Sequence, residues 1–260
     1  MRLLEMKNGF NFRDIGGYQT KDNRTLKYRK LIRSASLAEL SPEELVYLDE
    51  YGMRHDVDFR SPAECQAAPD LLPENVQYHF TPVFPIDETR STQKSWEERE
   101  RYNTDPALGV AEMKSAYADI VLADSARVAY RKFFDVLLAN DKENESVLFH
   151  CSMGKDRTGM GAVYVLTALG VDEQTIRKDY LASNEYLRPL REINLNKAKQ
   201  AAKTPYFVAN IRSLGRVSNA YLDHALLLIK KEYGSVNDYL RNELMLNDKQ
   251  LQDLQKIYLN

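Results

Sequence analysis

The densest apolar positions of the chain fall in two neighbouring stretches, Val147-Leu148-Phe149 and residues 158–169. The first is short and wholly apolar, the pattern of a central strand buried on both faces. The second is rich in alanine, valine and leucine and predicts a buried helix. Gly170 follows as its stop signal, and Asp172 is placed to cap the next helix. Between strand and helix lies a polar, glycine-containing loop.

The pattern upstream is mixed. Leu31-Ile32-Arg33-Ser34-Ala35 predicts a short strand. Ser41-Pro42-Glu43-Glu44 then reads as a helix start, with Ser as cap, Pro at the first position and Glu in capping-box spacing. The segment 54–60 predicts a strand ended by Ser61-Pro62, and 76–80 alternates like another. From Ser91 to Tyr117 the chain reads as polar and irregular, which predicts an insertion reaching to about 125. Residues 127–140 carry Val128, Phe133, Val136 and Leu137 near helical spacing. Beyond 170, helix follows helix to Asn260. Strand–helix alternation around one central strand predicts an α/β fold, a mostly parallel sheet flanked by helices, with a helical C-terminal part.

Composition narrows this picture. A chain of 260 residues, 43% hydrophobic and 28% charged, suits one soluble domain spanning 1–260 with a real core. Its formal charge of −2 gives no general pull toward nucleic acid or anionic membrane. With only Cys65 and Cys151, a disulfide framework is excluded. No leader-like apolar region opens the sequence and no apolar run is long enough to span a bilayer. A cytoplasmic location is therefore expected.

The chemistry concentrates in His150-Cys151-Ser152-Met153-Gly154-Lys155-Asp156-Arg157-Thr158-Gly159. This loop joins the apolar strand to the apolar helix, so its amides gather at a helix N-terminus, a ready anion site. A cysteine there is favoured as thiolate, the strong nucleophile that phosphoryl transfer needs. Gly154 lets the loop turn its N–H groups inward. Arg157 brings a planar fork for two phosphate oxygens. The Thr158 hydroxyl can donate to the sulfur when it leaves. Ser152, Met153, Gly154, Lys155 and Thr158 are thus the expected substrate-binding residues. His150 is expected to orient the loop rather than act as a base. A bare Cys-x5-Arg would arise by chance roughly 15% of the time around two cysteines, so the flanking strand, glycines and helix carry the assignment. A nucleotide-binding P-loop is excluded, because Phe149 replaces the first glycine and Asp156 the magnesium-binding hydroxyl.

Residues 150–159 resemble the HCxxGKDRTG signature of the atypical bacterial protein-tyrosine/phosphoinositide phosphatases. Residues 11–18, 58–64 and 179–184 resemble the other motifs of that family, in its order. The resemblance implies a cysteine-phosphatase fold and metal-free, cofactor-free hydrolysis through a cysteinyl-phosphate intermediate. It implies phosphotyrosine proteins as substrates, with phosphoserine, phosphothreonine and phosphoinositides in reach. It also points to residues 185–215 as a helical lid.

The proton donor has two candidates: Asp156 inside the loop, and Asp87 after a predicted strand. Lys155 is expected to meet a second anion. Arg13, Asp14, Asp58, Arg60 and Glu64 are expected to form a buried ion-pair network behind the loop. His55, His79 and His224 show no ligand spacing, so no metal is expected. Cys65 reads as a passive thiol. Two competing functions remain: a phosphate-binding module without turnover, and a rhodanese-like sulfur carrier.

Overall fold

The computed structural model describes residues 2–85, 100–201 and 203–260. In chain order the strands are β1 (Arg2–Leu3), β2 (Arg13–Asp14), β3 (Leu31–Ser34), β4 (Met53–Asp58), β5 (Gln77–Phe80) and β6 (Ser146–His150). They form one sheet in the order β1-β2-β3-β6-β4-β5. The apolar run expected at the centre is β6, paired in parallel with β3 on one side and β4 on the other. Pairing of β5 with β4 is also parallel, and among the described strands the short β1–β2 and β2–β3 pairs are antiparallel.

Register sorts the sheet into two faces. Ile32 lies opposite Leu148 and packs with Leu4, Phe12, Leu40, Leu48 and Met53 under helix α1 (Pro42–Tyr51). Val57, Val147 and Phe149 point the other way, into the main core. That core also takes α3 (Leu108–Leu122), α4 (Asp124–Ala139) and α5 (Arg157–Ala168). Of these, α5 is buried along almost its whole length. The capping boxes behave as their sequences require: Ser41 with Glu44 starts α1, and Ser61 with Glu64 starts α2 (Pro62–Ala67). Asp172 caps α6 (Glu173–Tyr186) as expected.

One local expectation fails. Residues 108–117, expected to be irregular, belong to α3. Met113, Ala116, Tyr117, Ile120 and Val121 recur at helical spacing on its buried face. The polar character of the preceding residues masks that period. Beyond α6, the chain forms α7 (Arg188–Gln200), α8 (Pro205–Leu214), α9 (Asn219–Tyr233), α10 (Val236–Asn242) and α11 (Asp248–Tyr258). A small separate apolar cluster of Tyr102, Ala198, Phe207 and Ile211 joins α7 and α8 to the turn Glu100–Asn103. The buried Asn210 reinforces it, accepting from the Gly109 amide and donating to the Tyr102 and Asp105 carbonyls.

Candidate active site

Cys151 follows β6 directly and the loop runs into the N-terminus of α5, so the nucleophile candidate sits at the carboxyl end of the central strand. Gly154 has φ +62°, and a Cβ there would stand 2.0 Å from the Ser34 carbonyl oxygen. The loop therefore lies directly against the end of β3, an approach that only glycine permits. Other bonds fix the loop from outside. The Ser36 amide donates to the Ser152 carbonyl at 3.2 Å. Asn11, itself at φ 60°, donates through Nδ2 to the carbonyls of Met153 and Gly154. With these carbonyls engaged outward, the loop's remaining backbone groups are left for the cradle.

Arg157 is fully buried, and Glu64 holds it in a two-pronged pair at 2.7 and 2.8 Å. The same carboxylate accepts from Ser152 Oγ and from the Ser61 amide. One side chain thus caps α2, sets the arginine fork and ties down the loop. Thr158 Oγ1 is buried with no hydrogen-bond partner among the described residues.

The expected single ion-pair network is resolved into separate groups. Arg13 does not pair with Asp14. It donates through Nε to Asp179 at 3.0 Å and through NH1 to Asn11. Arg33 also pairs with Asp179 and donates to the Gly154 carbonyl at 2.9 Å, and Tyr18 adds its hydroxyl at 3.2 Å. Burial pushes the Asp179 carboxyl up, but Arg13 and Arg33 prevail and hold it at about 2. Asp14 instead accepts from the amides of Gly16 and Arg29 and from the Tyr51 hydroxyl.

On the other face of the sheet, Asp58 receives Arg60 through several bonds, and Arg60 also reaches Asp70. His150 Nε2 lies 3.3 Å from Asp56, 3.7 Å from Asp58 and 3.2 Å from Asp70, and all of these side chains are buried. Burial would push the imidazole down, but the three carboxylates raise it well above its ordinary value. Burial pushes Asp56 up to about 6. Asp58 goes the other way: His150 and Arg60 overcome its burial and hold it well below the usual carboxylate range. Donor atoms of Asp56, Asp70 and His150 lie within 4.8 Å of one another, near enough for a small cation. Arg60 on Asp70 and the raised imidazole already supply the positive charge there.

Asp156 and Lys155 are buried beside Arg157. Lys155 Nζ donates to Asp156 Oδ2 at 2.6 Å. Asp156 Oδ1 accepts from Tyr117 at 2.9 Å, and the Tyr117 hydroxyl is 2.7 Å from that of Tyr180. Burial and Asp156 raise the Tyr117 hydroxyl well above its ordinary value, so it stays a donor. Asp87 lies outside the described residues. Cys65 donates to Asp58 at 3.2 Å, and burial with that carboxylate pushes its thiol up to about 12, which fits a passive role. His55 Nδ1 meets His79 Nε2 at 3.0 Å, a contact their separation in sequence hides. Sequence reasoning also missed Asp70, Tyr117 and the hub role of Asp179. Asp70 and Tyr117 carry no local mark, and the motif around Asp179 does not name its partners, because these lie far away in the chain.

The sequence that builds this site has relatives. The family model described as "Tyrosine phosphatase family" matches residues 4–260. The chain belongs to that family. A relative from Cupriavidus necator, named for tyrosine-protein phosphatase activity, is 32% identical over 241 residues, covering 93% of this chain and 84% of its own. The triple specificity protein phosphatase PtpB of Mycobacterium tuberculosis is 28% identical over 272 residues, covering 93% of this chain and 94% of its own. A tyrosine-protein phosphatase of Nostoc commune is 24% identical over 225 residues, covering 86% and 72%. This phosphatase therefore keeps the family pattern from end to end, and the α/β architecture agrees with it. Among the described residues no helix is long and apolar enough to cross a membrane.

Proposed function

We propose that this phosphatase hydrolyses phosphotyrosine in proteins through a covalent intermediate on Cys151. The observation that carries the reading is the Glu64 clamp, which fixes Arg157 and Ser152 in one frame around the cysteine. The Cys151 thiolate attacks phosphorus and the ester P–O bond breaks. Arg157 and the loop amides stabilise the charge on the equatorial oxygens. The leaving oxygen takes a proton from Asp156 or Asp87. Water then attacks phosphorus and the P–S bond breaks, releasing inorganic phosphate. Thr158, buried without a partner among the described residues, supplies a hydrogen bond to the departing sulfur. In this scheme the Lys155 ammonium holds Asp156 in place.

The triple specificity printed in the name of the mycobacterial relative supports a reach beyond phosphotyrosine, which we extend here to phosphoserine, phosphothreonine and phosphoinositides. Residues 185–215 are proposed as the cover of the site, since α7 and α8 share a small apolar cluster apart from the main core.

The test is Cys151→Ser. Turnover of p-nitrophenyl phosphate and phosphotyrosine peptides should vanish while phosphate binding survives, because the cradle and Arg157 remain. Vanadate should inhibit and EDTA should not. Substantial turnover by the serine variant, or loss of activity on chelation, sinks the thiolate route. Sulfur transfer from thiosulfate in place of phosphate hydrolysis would favour a sulfur carrier.

A further inference from the structure

We infer that the pocket between α6, α7 and the end of α8 is a second anion subsite, built to take a phosphate group other than the one being hydrolysed. The pocket, about 470 Å³, is lined by Asn184, Arg191, Glu192, Leu195, Arg212 and Arg216. Three arginines and one glutamate line it, a local balance of 3 − 1 = +2 that matches a phosphate dianion. Neighbouring arginines are paired: Arg177 with Glu173 and Asp223, Arg188 with Glu185. Arg191 instead donates to the Asn184 carbonyl at 2.8 Å. Among the described residues, no carboxylate lies within ion-pair distance of Arg191, Arg212 or Arg216.

The pocket is built rather than incidental. Asn184 exchanges two hydrogen bonds with the Val217 backbone, at 3.0 and 2.8 Å, and so pins the segment that carries Arg216 to α6. The Arg191 stem packs against Gly215, where an added Cβ would meet its Cγ at 3.4 Å. Leu195 is the one aliphatic lining residue, which argues against an acyl or alkyl ligand.

The pocket also neighbours the catalytic loop. Asn184 lies on α6, whose Asp179 pairs with Arg33, and Arg33 donates to the Gly154 carbonyl of the loop. Shortly beyond Arg216, the Tyr221 ring lies 5.9 Å from that of Tyr117, whose hydroxyl bonds Asp156. Lys155, the loop's own spare cation in the sequence reading, is already committed to Asp156. A second phosphate on the substrate therefore finds its cations in this pocket. The inference rests on the phosphatase mechanism above only for the identity of the first phosphate.

The test uses the full chain and two readouts. Calorimetry with inorganic phosphate on Cys151→Ser should find two phosphates per chain. Adding Arg191→Gln, Arg212→Gln and Arg216→Gln should leave one, with an unchanged circular dichroism spectrum. Turnover is then measured for the three-arginine variant on a native Cys151 background. Its kcat/KM on a soluble inositol bisphosphate should fall about ten-fold or more relative to its kcat/KM on phosphotyrosine. Loss of the second phosphate without that selectivity change assigns the subsite to free inorganic phosphate. A single phosphate per chain both with and without the arginines overturns the proposal. Absence of turnover on every monoester would fell the hydrolytic reading alone, because the stoichiometry judges the pocket independently.

Discussion

Two buried charge clusters flank the catalytic loop, one on each face of the sheet, and they are balanced in opposite ways. Around Asp179, two guanidiniums meet one carboxylate and both carboxylate oxygens are bonded. Around His150, three carboxylates share one guanidinium and an imidazole. The cation-rich cluster holds its carboxylate down at about 2, whereas in the acid-rich one burial lifts Asp56 to about 6. The first acts as a fixed strut for the loop carbonyls. The second sets a raised carboxyl and a raised imidazole directly behind the nucleophile.

The comparison is broken most forcefully at the strut. Asp179→Ala leaves Arg13 and Arg33 buried without their partner and should cost about 3–5 kcal/mol in urea unfolding. A loss under 1 kcal/mol would mean the arginines find other partners, and the strut description would fall. Next in size is the loop the strut holds. Gly154→Ala forces a Cβ into the Ser34 carbonyl and should lower kcat/KM about 100-fold or more on p-nitrophenyl phosphate, with the fold retained. Near-normal activity would show that the β3 contact does not set the loop.

Acid and base then separate the clusters by sign. The Asp179 carboxyl is depressed from 3.8 to about 2, so its stabilisation is present above about 4 and is lost as pH falls through 2. Asp56 is raised from 3.8 to about 6, so its contribution is present at low pH and is lost as pH rises through 6. His150, raised above 6.5, extends that loss to higher pH. Asp56→Asn should therefore flatten the fall in stability between pH 4 and 7, a difference on the order of 2 kcal/mol between wild type and variant. Parallel pH curves for the two proteins would remove the titrating role. The smallest effect belongs to Tyr18→Phe, which takes one donor from Asp179 and should cost about 1 kcal/mol. A cost as large as that of Asp179→Ala would show that the guanidiniums are not the main support.

Much of this site was legible in the sequence because its chemistry is contiguous. The strand, loop and helix around Cys151 follow one another within residues 146–168, and each carries its own local signal. The capping box at Ser41 and the cap at Asp172 were readable for the same reason. What could not be read is which buried charge meets which. Asp179 is 166 residues from Arg13 and 146 from Arg33, and no periodicity encodes a pairing at that range. Asn11 gives no cue either, since its role depends on a left-handed backbone at φ 60°. The start of α3 was obscured by polar neighbours, and its apolar stripe takes meaning only from the helices packed on it.

Glu64 has a consequence for how activity should fail under stress. Helix α2 is six residues long, too short to persist by itself in water. Its N-terminal cap is also the anchor of the Arg157 fork, so fraying of α2 and release of the arginine are one event. A local opening far cheaper than global unfolding would then switch the cradle off while the sheet and its main core stayed intact. The amide protons of Glu64 and Cys65, bonded to Ser61 at the start of that helix, are the hydrogen-exchange reporters of an assembled active site.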